Sequence, residues 1–141
     1  MRIRDWAWVQ VKLVVGIGWP VALLLYPPRV SAAALGPALV TVAVVTIVGA
    51  VVSLVGLFAA RQRGGIAVVG LTIETVGIGF VLAGTIAYWL TQVSLLGSVD
   101  GEQRIAFSWY SYGMAAAFAA RLAIVLSDRH EQATRPERIV S

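Results

Sequence analysis

Residues 37–60 read PALVTVAVVTIVGAVVSLVGLFAA, with no charged side chain from Pro37 to Ala60. This stretch decides the fold class. A bilayer span needs about 20 consecutive apolar residues. A helix in a soluble bundle keeps a polar face toward water, and this one has none. The strict alternation of a barrel strand is also missing over the run. Pro37 suits the start of a helix, where its missing N–H is not needed. The run stops at Arg61-Gln62-Arg63-Gly64-Gly65, a basic turn.

Three similar runs flank it. The first covers about 6–26. It opens on Trp6 and Trp8 and closes on Tyr26, residue types that favour the headgroup level. Pro20 inside it should disturb the helix, and Pro27-Pro28 should end it. The third runs from about 66 to 93 and the fourth from about 105 to 126. A polar stretch, Gly97 to Arg104, lies between these two. The sequence therefore predicts an all-α, polytopic four-helix transmembrane bundle over residues 1–126. A charged tail, frayed or disordered, follows over 127–141.

Composition agrees. The 141 residues are 59% hydrophobic and 13% charged, whereas soluble domains are about one quarter charged. Four spans leave little chain for a folded domain outside the bilayer. With no cysteine, disulfides and thiolate metal sites are excluded. The one histidine, His130, falls in the polar tail. A net charge of +4 does not indicate nucleic-acid binding, because the charges sit between apolar runs, where they set topology.

Orientation follows from arginine bias. Arg2 and Arg4, then Arg61 and Arg63, then Arg129, Arg135 and Arg138 fall on alternate ends of successive spans, while the other two loops hold only Arg29 and Arg104. Both ends of the chain are expected on the cytoplasmic side of the cytoplasmic (inner) membrane. A rival reading takes residues 1–32 as a signal peptide with Val30-Ser31-Ala32 at the cleavage site. Asp5, Lys12, the two early tryptophans and Pro27-Pro28-Arg29 argue against it.

Three charges fall inside the spans: Lys12, Glu74 and Arg121. Intramembrane charges are expensive and are candidates for function. At 1.5 Å per residue all three lie roughly 9–12 Å from the arginine-rich edge, so they should share one layer. The expectation is that Glu74 pairs with Arg121 or Lys12. As a functional node the layer would be a gate, an ion site or a switch. As plain structure it would be an ion pair, with Lys12 and Arg121 snorkelling toward the cytoplasm.

Small residues mark packing faces. Gly70, Gly77 and Gly84 share a stripe with Glu74 in the third run, and Gly49, Ser53, Gly56 and Ala60 form a second stripe in the second run. Such stripes let helix backbones approach closely in membranes. They suit packing within one chain or between copies, with packing within the chain the default. No enzyme constellation is present in the sequence: it has no Walker loop, no histidine-rich ligand set and no paired carboxylate motif. Catalysis, a cofactor and a metal are not expected.

Several stretches resemble small four-span membrane proteins of actinobacterial phages, some regarded as holins. They are Gly18-Trp19-Pro20-Val21-Ala22-Leu23 with Tyr26-Pro27-Pro28, Gly70-Leu71-Thr72-Ile73-Glu74, Tyr88-Trp89-Leu90-Thr91-Gln92, and Gly101-Glu102-Gln103-Arg104-Ile105-Ala106-Phe107. The resemblance covers most of the chain but rests on packing and loop motifs. It implies a lysis role: a protein that self-associates in the cytoplasmic membrane and permeabilises it. It carries over no functional residues. Two other classes remain open, an accessory subunit bound to a membrane-protein partner and a small transporter. Small multidrug transporters also have four spans, but their intramembrane Glu lies in the first span. Here Lys12 is in the first and Glu74 in the third.

Overall fold

The computed structural model describes residues 3–62, 64–95 and 101–134. Among these residues the secondary structure is helical, with no strand. Four helical segments are long and apolar enough to cross a membrane: Ile3–Leu25, Ala38–Ala59, Gly65–Ser94 and Glu102–Thr134. The protein is an all-α four-helix bundle. Arg2, Arg63, Gly97, Arg135 and Arg138, used above for topology and boundaries, lie outside the described residues.

The first span is a composite. Helix α1 (Ile3–Val11) runs into a π-helical stretch, Lys12–Gly18, and then into α2 (Trp19–Leu25). The N–H of Trp19 donates to the carbonyl of Val14, five residues back. Pro20 explains the location. Its ring clashes with the carbonyl four residues earlier and it offers no N–H, and a wider π turn just upstream relieves that conflict. The disturbance expected at Pro20 thus takes the form of a π stretch on its N-terminal side.

The first span closes at Tyr26, and Pro28, in extended conformation (ψ 138°), leads into a short helix, α3 (Arg29–Leu35). From the sequence alone this segment reads as a loop between spans, so the helix corrects that expectation. Gly36, with φ +52°, turns the chain into α4 (Ala38–Ala59). Hydrogen bonds from the N–H groups of Arg61 and Gln62 to the carbonyls of Phe58 and Ala59 close the α4–α5 turn. There Gly64 takes φ +75°, a conformation that suits glycine.

Helix α5 (Gly65–Ser94) makes the most extensive contact in the molecule with α4 and the next most extensive with α6 (Gly101–Thr134). Helix α6 is longer than the span expected from hydropathy. It begins inside the polar 97–104 stretch and continues past Leu126 to Thr134. Charged side chains there do not interrupt helical hydrogen bonding, so the apolar run ends before the helix does.

The small-residue stripes explain the α4–α5 contact. A Cβ added at Gly77 would sit 2.6 Å from the Gly49 carbonyl oxygen, and one at Gly49 would sit 2.8 Å from the Gly77 carbonyl oxygen. At Gly56 it would lie 2.6 Å from the Cα of Glu74, at Gly70 2.7 Å from the Cα of Ala60, and at Gly84 it would overlap the Thr46 hydroxyl. Gly49, Ser53, Gly56 and Ala60 on α4 therefore face Gly70, Glu74, Gly77 and Gly84 on α5. Both stripes are used against each other within one chain.

The ends of the bundle are equally defined. Arg61, in the α4–α5 turn, is paired with buried Asp5 of α1. Arg4, Arg61, Asp128 and Glu131 line one polar groove. The start of the first span, the α4–α5 turn and the end of α6 thus lie together.

Candidate functional site

Lys12, Glu74 and Arg121 meet inside the bundle. Glu74 enters from α5, at the place where Gly56 lets α4 approach its backbone. Lys12 comes from the first residue of the π stretch and Arg121 from α6. Lys12 Nζ donates to Glu74 Oε1 and also to the Ser53 carbonyl oxygen, at 3.3 Å. Arg121 Nε donates to the same Oε1 at 2.8 Å, and Arg121 Nη2 lies 2.8 Å from it. All three side chains are at most 1% exposed.

This geometry corrects one expectation. Neither cation snorkels toward the membrane surface; both are buried on Glu74. A carboxylate in an apolar bundle offers a cation more than a long reach to water does, and here one oxygen holds two cations. The indole of Trp8 also lies under Arg121, with the guanidinium carbon 5.4 Å from the ring centroid. Trp8 is half-buried and acts as a cation–π platform for Arg121, where the sequence suggested an interface anchor.

The node holds two cations against one carboxylate. Glu74 Oε2, Arg121 Nη1 and Ser53 Oγ are buried without a hydrogen-bond partner. Removing polar groups from water without a partner costs about 1–3 kcal/mol each. The node is therefore a polar centre with unused hydrogen-bonding capacity.

Beyond it lies an apolar layer. Ala50, Ile78, Val81 and Phe118 are all 0% exposed. Gly16 of the π stretch fits against it: a Cβ there would lie 2.6 Å from Ala50 Cβ and 3.6 Å from the Phe118 ring. All four spans contribute to this layer.

Past the apolar layer the interior becomes polar again. Thr46, Thr85, Tyr88, Gln92, Ser111 and Arg104 are buried there. The Thr46, Thr85 and Ser111 hydroxyls donate to carbonyls of their own helices. The Tyr88 hydroxyl pairs with Ser31 of α3 at 2.6 Å, and Arg104 Nη1 donates to Gln92 Oε1 at 3.5 Å. Trp19 packs edge-on against Tyr88, with centroids 4.9 Å apart. From Glu74 to Gln92 the rise along α5 is about 27 Å, close to the thickness of a hydrocarbon core.

Sequence reasoning named the three charges of the node and the small residues around them. It missed Asp5–Arg61, Ser31–Tyr88, Gln92–Arg104 and the Trp8 platform. Only the first had a usable signal: an acid at the start of the first span and an arginine in the 61–65 turn fall on the same side in any four-span topology.

Among the described residues there is no cluster of three or more metal-ligating side chains. The fold and this interior define a polytopic helical membrane protein with a buried ionic node. Family models, curated proteins and solved structures compared with the chain give no match.

Proposed function

We propose that the protein is a holin-type membrane protein, which self-associates in the cytoplasmic membrane and permeabilises it for lysis. One observation carries the reading. The bundle encloses polar side chains near both ends and separates them by an apolar layer of Ala50, Ile78, Val81 and Phe118, about 10–16 Å deep along the helices. Such an interior is a closed path. Hydrophobic constrictions of this kind gate by wetting and dewetting. The resemblance to phage four-span proteins supports the same role.

The orientation belongs to the proposal. The end that gathers Arg4, Arg61, Asp128 and Glu131 faces the cytoplasm, because the loops and tail on that side carry most of the arginines. The other end, with Tyr88, Gln92 and Arg104, faces outward. Self-association would use the outer faces of the spans, since the glycine stripes are occupied within the chain.

An accessory-subunit reading is favoured by a different observation. The tight α4–α5 interface gives a rigid body with apolar outer faces suited to a membrane-protein partner. A transporter reading draws on Glu74, but two cations already hold that carboxylate and oppose its exchange with a substrate. Controlled expression with a membrane-potential dye separates these readings. Rapid depolarisation by the wild type supports permeabilisation. An unchanged potential, together with a stoichiometric companion in mild detergent, supports the accessory role.

A further inference from the structure

We infer that the permeating path runs through the interior of each bundle, not between copies, and that it selects small inorganic anions over cations. The inference rests on the permeabilising role proposed above.

The location follows from where the charges are. The charges deep in the spans, Lys12, Glu74 and Arg121, all point inward and are at most 1% exposed. The outer faces present residues such as Val14, Val44, Val51, Val55, Val76 and Phe80. A pore between copies would be lined by these apolar faces and would stay dry. The interior instead holds polar groups on both sides of its apolar layer.

The selectivity follows from the node. Lys12 and Arg121 face a single carboxylate, so the layer bears one excess positive charge. Asp5, toward the same end, does not offset this, because Arg61 is paired with it. Arg121 Nη1 is buried and carries N–H donors without a partner, and these can replace part of an anion's hydration shell. A cation at this point meets two fixed cations at close range. Basic side chains in a narrow pore select anions, and the low-dielectric surroundings strengthen that field.

The gate is the apolar layer. Phe118 has the largest side chain in it and lies against Gly16 of the π stretch. Short π segments are often found at functional sites. A shift in this one would move Gly16 and Lys12 together, coupling the gate to the node.

Purified full-length protein in liposomes, under a potassium chloride gradient, tests this. The expected reversal potential lies toward the chloride equilibrium potential. Phe118→Ser should raise the conductance and keep the sign. Lys12→Met should shift the reversal potential toward potassium, and Lys12→Arg should restore it. Selectivity for potassium, or a reversal potential indifferent to charge at position 12, overturns the inference and leaves the permeabilising role standing. No conductance from wild type or Phe118→Ser overturns both. The wild-type sign decides the question even where a variant fails to fold.

Discussion

Gly56 of α4 lies directly against the backbone of Glu74 in α5, and no side chain fits between them. This contact ties the packing of the bundle to its electrostatics. The close approach seats the Glu74 carboxylate within reach of both Lys12 and Arg121, and it brings the Ser53 carbonyl to Lys12. A residue without chemistry of its own thus sets the geometry of the charged node.

Substituting Gly56 should therefore do more harm than its size suggests. Gly56→Leu must push α4 away from α5 along much of their contact. Overpacking costs about 1–3 kcal/mol in ordinary cores, and here it also pulls the node apart, so the loss should reach the top of that range or beyond. Gly79, whose added Cβ would meet nothing, is the matched control. Unfolding in mixed micelles followed by circular dichroism should show a clear loss for Gly56→Ala, larger still for Gly56→Leu, and almost none for Gly79→Ala.

The node should be asymmetric in its tolerance. Glu74→Gln leaves two buried cations without a counter-charge. Breaking a buried ion pair in this way costs about 3–5 kcal/mol. Lys12→Met leaves one carboxylate on one guanidinium, a neutral pair, and should lose less. The same unfolding measurement ranks the two variants, and Lys12→Met proving the more damaging would contradict the arrangement.

The Tyr88 hydroxyl anchors α3 through Ser31. Tyr88→Phe keeps the ring on Trp19 and removes that bond. A loss of about 1 kcal/mol is expected, concentrated in α3. Hydrogen exchange should speed up over 29–35 and stay unchanged in α4.

The absence of cysteine from the sequence makes topology easy to test. Single cysteines at Arg4 and Arg129 should react with impermeant reagent only from the cytoplasmic side, and one at Tyr26, 82% exposed, only from outside. Labelling of position 4 from outside would invert the orientation or remove the first span.

Much of this fold is legible in the sequence because a bilayer imposes a simple rule. Residues 37–60 lack any charge, and an uncharged run of that length has few other uses. Lys12, Glu74 and Arg121 could be placed at one height by counting residues along helices of fixed rise. What counting cannot supply is direction. Whether the two cations turn inward or reach outward depends on how close α4 and α5 come, and that depends on Gly56 and Gly77 meeting the opposite backbone. The π stretch is hidden for a similar reason. Pro20 signals a disturbance, but the choice between a kink and an extra residue per turn depends on packing against Ala50 and Phe118. The extent of α6 past Leu126 was also concealed, because hydropathy marks the end of the membrane and says nothing of the end of the helix.

A charge-swap cycle at the node measures the arrangement most directly. Lys12→Glu sets two carboxylates beside Arg121, and Glu74→Lys gathers three cations. The double variant restores the pair between positions 12 and 74 in reversed polarity but leaves Arg121 facing a cation at position 74. If these side chains touch as described, each single variant is strongly destabilised and the double loses less than the sum of the two, because the 12–74 pair is restored, a coupling well above the few tenths of a kcal/mol, about 0.3–0.5, seen between independent sites. If the double variant loses the sum of the two single losses, Lys12 and Glu74 do not meet inside the bundle.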